Sequence, residues 1–79
     1  MPMSAREKEW AGKASRYLKA RLKQADVGYK ELADKLKAHG LEETEAGIAS
    51  KLSRGTFAAT FFLAVLAVLE MEGVRLEDL

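Results

Sequence analysis

Apolar residues recur at spacings of three and four along the first third of the chain, at Trp10, Ala14, Tyr17, Leu18, Leu22 and Ala25. That pattern predicts an amphipathic helix from about Ala5 to Ala25 with one stripe turned to a core. Lys13, Arg16, Lys19, Arg21 and Lys23 lie between the apolar positions and coat the remaining faces with positive charge. A second helix is expected over Tyr29 to Lys37, with Leu32, Ala33 and Leu36 pointing inward. Gly28 stands at its cap, Val27 just before the cap can pack on Leu32, and Glu31 in the first turn suits the helix dipole. So short a helix depends on its neighbours. His39 and Gly40 end it, and Gly40 is able to take the left-handed cap.

The third segment opens with Leu41 and the acidic run Glu42, Glu43, Thr44, Glu45, in which Thr44 is the best N-cap. A helix over about 44–54 follows, with Ile48, Ala49 and Leu52 expected inward and Glu45, Ser50, Lys51 and Arg54 outward. Gly55 closes it. Thr56 is then expected to cap a fourth helix, because Phe57 to Leu69 carries no charge and a single polar side chain, Thr60. Its length of roughly 20 Å falls short of the roughly 30 Å of a bilayer's hydrocarbon, which argues against a membrane span. The apolar arc of Phe57, Phe61, Phe62, Val65, Leu66, Val68 and Leu69, with Leu63 beyond it, is wider than one core-facing stripe. Part of it is expected to face a second protomer, with Leu63, Leu66 and Leu76 as interface candidates and a homodimer as the consequence. Val74, Leu76 and Leu79 suggest a short closing turn or an arm.

Length and composition narrow this to one all-α domain, a compact bundle of four to five helices. Its 79 residues suffice for one core, expected over about 9–72 with a tail at 73–79. With 48% hydrophobic residues and one proline, the chain is too apolar for disorder and too poor in turn residues for a sandwich. The absence of cysteine removes disulfide frameworks and thiolate metal sites, so a reducing cytoplasm is the expected location. The charged start MPMSAREKEW gives no support for export. A net charge of +1 conceals an asymmetry: Met1 to Ala38 holds ten Lys or Arg against five Asp or Glu, and the remainder three against seven. A basic half of this kind suits a polyanion and equally suits two solvated helix faces.

Catalytic chemistry has little footing. One histidine, His39, with no cysteine and no Ser-His-acid set, leaves no evident nucleophile and base, so no enzyme is expected. Neither phosphate-binding glycine motif occurs, and no carboxylates stand at a metal-binding spacing from the histidine. Cofactors and metals are not indicated.

The order of elements, read with particular residues, resembles the lambda-repressor-like, Cro-type helix-turn-helix domain of bacterial transcription regulators. Leu18 to Leu22 followed by Val27 looks like that family's first helix, and Tyr29-Lys-Glu-Leu-Ala-Asp-Lys-Leu36 like its second, with Leu32-Ala33 at the core pair. Ala49, Leu52, Arg54 and Gly55 match the end of its recognition helix, Phe57 to Leu69 its fourth helix, and Leu76-Glu-Asp-Leu79 its closing segment. The likeness covers Tyr17 to Leu79 and extends to a group of small bacterial domains of unknown function with this core. It implies a cytoplasmic DNA-binding regulator acting as a homodimer, the third helix in the major groove and flanking helix ends on phosphates. Carried over by position, Tyr29, Lys30, Glu45, Ser50, Lys51 and Arg54 are the implied contacts to double-stranded DNA.

Two features depart from that pattern. The connection from Lys37 to Thr44 is longer than the family's tight turn, and Glu42, Glu43 and Glu45 put negative charge where a helix N-terminus would approach phosphate. The rival reading is therefore a protein interaction module that keeps the fold and offers Glu42, Glu43 and Glu45 to a basic partner. A third reading, RNA binding through helix 1 with Tyr17 or Trp10 stacking on bases, conflicts with their core-like spacing.

Overall fold

Four α-helices and a terminal 3-10 turn follow one another in the computed structural model, which describes residues 4–79: α1 (Ala5–Gln24), α2 (Tyr29–Lys37), α3 (Glu45–Arg54), α4 (Ala59–Val68) and the turn Leu76–Asp78. No strand occurs among the described residues. The first three residues of the charged start lie outside them. The Cα radius of gyration of 12.2 Å is that of a compact chain, for which about 12 Å is expected at this length.

Local chemistry accounts for the helix ends. Ser4 Oγ accepts from Glu7 N–H at 3.1 Å to start α1, and Thr44 Oγ1 accepts from Gly47 N–H at 2.9 Å to start α3. The second of these, like the boundaries of α2 and the Gly55 stop, agrees with the sequence pattern. Helix α4 corrects it, because α4 begins at Ala59 and Thr56 caps nothing. The reason is a hydrophobic staple: Phe57, just before the cap residue Ala58, stacks on Phe62 in the first turn with ring centroids 6.3 Å apart and planes 7° from parallel.

Helices α1, α2 and α4 end in one motif. In each, a left-handed residue (Asp26, Gly40 or Glu70) donates its N–H three residues back. The next residue (Val27, Leu41 or Met71) donates five back, to Leu22, Leu36 or Leu66. Both residues of each such pair are apolar and join the core, which is the hydrophobic contact that accompanies a Schellman ending.

Leu18, Leu22, Leu32, Leu36, Ile48, Leu52 and Val65 are the largest side chains fully enclosed, and Phe61 and Leu66 complete the centre. Helix α2 packs on α3 and α4, while α1 packs on α3. Between α3 and α4 the chain turns by 117°. Among the described residues no single helix is long and apolar enough to cross a membrane.

The core departs from the expected stripes at identifiable places. Trp10 is 54% exposed and Ala25 is exposed. At 1.5 Å per residue α1 runs about 30 Å and α3 about 15 Å, so α3 alone cannot cover α1, and Trp10 and Ala25 border open clefts beside Phe57 and Met71. Ala49 is exposed, since in ten residues α3 buries only Ile48 and Leu52. Leu66, expected at a dimer surface, is 7% exposed and belongs to the protein's own core. Leu63 and Leu76 do face solvent, at 63% and 71% exposure.

Candidate nucleic-acid interface

The residues of interest lie on α3 and on the helices beside it. The solvent face of α3 consists of Glu45, Ala46, Ala49, Ser50, Ser53 and Arg54. Its middle is small and uncharged, so an approaching surface can come close to the helix backbone. Tyr29 is half-buried at the start of α2, packed on the core, and Lys30 beside it is exposed. Thus Lys30, Glu45, Ser50 and Arg54 are available to a partner, whereas Tyr29 is shared between core and surface.

Lys51 is not available in the way its sequence position implies. Its ammonium pairs with the Glu43 carboxylate and lies 5.2 Å from the centre of the Phe61 ring. The Glu43 side chain is only 10% exposed and that of Lys51 31%. The pair thus ties the loop before α3 to α3 itself and to α4, and it removes one of three expected negative charges from the acidic run. Glu42 and Glu45 remain exposed.

This arrangement makes Lys51 a stability residue. Changing Lys51→Gln leaves a nearly buried carboxylate without its counter-charge, for which about 1–3 kcal/mol is expected. The double variant Lys51→Gln, Glu43→Gln removes the stranded charge and recovers most of that loss. Urea unfolding of the two single variants and the double variant measures the coupling. Purely additive effects would show that the pair contributes nothing.

Sequence periodicity misses the junction between α1 and α3. Ser15, the one buried polar residue among those described, donates its hydroxyl proton to the Leu52 carbonyl, one of the last-turn oxygens that α3 cannot satisfy itself. Beside this bond Gly55 lies against the Ala11 backbone. The two helices form the walls of an open groove of about 310 Å³. Lys8, Arg16, Lys19 and Arg54 line it, with no carboxylate among the lining residues. None of these four cations is in an ion pair among the described residues. The Arg16 guanidinium reaches back over Gly12, with Nη1 3.0 Å from where a Cβ would stand. The sequence does carry a trace of this face: Lys8, Gly12, Ser15, Arg16 and Lys19 recur at helical spacing, a polar stripe hidden by the search for apolar ones. His39 lies exposed in the turn after α2, and no cluster of metal-ligating side chains occurs among the described residues.

Fold and surface define a small all-α domain with a cationic groove beside its third helix. Residues 10–74 match the model of a family described as a domain of unknown function (DUF6471), and the chain belongs to that family. No curated protein and no solved structure matches it.

Proposed function

We propose that the domain is a lambda-repressor-like helix-turn-helix module that binds double-stranded DNA as a homodimer, with α3 toward the major groove. The observation that carries this reading is the solvent face of α3, a strip of Ala46, Ala49, Ser50 and Ser53 ending in the exposed Arg54. Small side chains let a helix seat deeply in a groove about 12 Å wide, and a terminal arginine supplies phosphate or guanine contact. The Lys51–Glu43 pair supports it further, since it takes up one of the charges that would repel a duplex. For the dimer, the support is the uncharged face of α4 around Leu63, together with Leu76. The rival protein-interaction reading narrows to Glu42 and Glu45, the acidic side chains before and at the start of α3 that stay free in solvent.

Fluorescence anisotropy with a mixed-sequence duplex, at about 50 and about 200 mM salt, tests the reading. Four phosphate contacts would give a loss of affinity on the order of 100-fold across that range. Absence of binding at the lower salt rejects it and directs attention to Glu42 and Glu45.

A further inference from the structure

We infer that the groove between α1 and the end of α3 holds the sugar–phosphate backbone of one DNA strand, so that the duplex seats on the C-terminal half of α3 rather than on its N-terminus. The inference rests on the DNA-binding reading and deepens it.

Three observations lead to it. The first is sign: Lys8, Arg16, Lys19 and Arg54 converge on one groove that no carboxylate lines, in a chain whose net charge is only +1. Focusing one sign of charge in a cleft strengthens its pull on a polyanion. The second is extent. Lys8 and Lys19 are eleven residues apart on α1 and therefore stand about 16 Å apart along its axis. A row that long matches successive phosphates of a strand better than one small anion, and the open form of the groove lets a strand pass through. The third is the charge at the two ends of α3. Glu42 and Glu45 stand at its start, while Ser53 and Arg54 at its finish are part of the groove wall. A duplex lying on Ala49, Ser50 and Ser53 meets cations on one flank and avoids the acidic end. In most helix-turn-helix proteins the N-terminal residues of the recognition helix read the bases. Here the electrostatics of the chain favour the opposite half.

The test uses the full chain and a 16-base-pair mixed-sequence duplex. One variant carries Lys8→Gln, Arg16→Gln and Lys19→Gln. A matched control carries Lys13→Gln, Lys23→Gln and Lys37→Gln, the same loss of charge at exposed positions outside the groove. Each lost phosphate contact lowers the slope of log affinity against log salt by about 1. The groove variant should therefore lose two to three from its slope and at least tenfold in affinity at about 100 mM salt, with the control close to wild type. Amide shifts on titrating the duplex should concentrate at residues 8–19 and 49–55. If both variants weaken equally, or if the shifts centre on residues 29–31 and 44–46, the groove assignment falls while DNA binding stands. Should the wild type bind no duplex at about 50 mM salt, both fall together. Tighter binding of the single strand, with quenching of the exposed Trp10, also overturns duplex docking.

Discussion

Replacing Leu66 by lysine strongly destabilises the domain, whereas the same replacement at Leu63, one turn earlier on the exposed edge of α4, leaves it folded and monomeric. Leu66 is 7% exposed, touches the central cluster, and supplies the carbonyl that accepts from Met71 N–H where α4 ends. No carboxylate is among the buried residues described, so an ammonium group there adds desolvation of a charge to the loss of a packed leucine. Such changes cost more than about 4 kcal/mol, and a domain of this length is expected to have only about 4–12 kcal/mol of total stability. At Leu63, 63% exposed, lysine is nearly as good a helix former and keeps its charge in water, so folding changes by about 0.5 kcal/mol or less. Circular dichroism melting reads the first effect. Sedimentation reads the second, as a wild-type dimer that Leu63→Lys dissociates. A cooperative, wild-type-like melt of Leu66→Lys contradicts the core described above, and a wild-type monomer at high concentration removes the proposed dimer.

The contrast between those two leucines marks the boundary of what is legible in the sequence. Most signals that act within a few residues read correctly, the Thr56 cap being the exception: the Thr44 cap, the left-handed stops at Gly40 and Gly55, and the span Tyr29–Lys37 bounded by Gly28. Each is a local hydrogen-bonding or conformational requirement, so the residue type at one position reveals it. Periodicity also recognises that α4 is apolar around most of its circumference. It does not say which part of that arc meets α2 and which meets water, since that depends on partners outside the helix. Leu66 and Leu63 therefore look alike until the neighbours are placed. The same holds for Trp10, whose spacing matches the core but which borders an open cleft beside Gly55, Thr56 and Phe57.

Polar residues show the limit more sharply. Ser15 looks like a solvent residue of α1, and only the Leu52 carbonyl, 37 positions away, gives its hydroxyl a buried partner. Lys51 looks like a DNA contact, and only the Glu43 carboxylate and the Phe61 ring turn it into a tether. The candidate interface consequently shifts when structure is added. Arg54, Ser50 and Lys30 stay on the surface, Lys51 and Leu66 are drawn into the fold, and Lys8, Arg16 and Lys19 become the walls of a groove. The groove exists because Ser15 and Gly55 hold α1 against the end of α3.

That contact makes Gly55 the most sensitive glycine of the protein. Its φ of +71° is a conformation that an L side chain adopts only under strain, and a Cβ there would stand 3.1 Å from the Ala11 carbonyl oxygen and 3.3 Å from its carbon. The obstructing atoms belong to the backbone of α1, so relief requires the helices to separate. The left-handed conformation costs alanine on the order of 1 kcal/mol, and the forced displacement raises the total for Gly55→Ala to about 2–4 kcal/mol. For a domain of this size the melting temperature should fall by about 10–25 °C. Gly40→Ala is the matched comparison: its φ of +85° imposes similar backbone strain, yet nothing stands within 4 Å of the added carbon. Gly40→Ala should therefore lose only about 1 kcal/mol, and the excess at Gly55 measures the α1–α3 contact. Equal losses at the two positions would mean that α1 does not press on the end of α3. An excess loss at Gly55 should carry a second consequence, a weaker duplex complex even well below the melting temperature, because parting these helices widens the groove that Lys8, Arg16, Lys19 and Arg54 line.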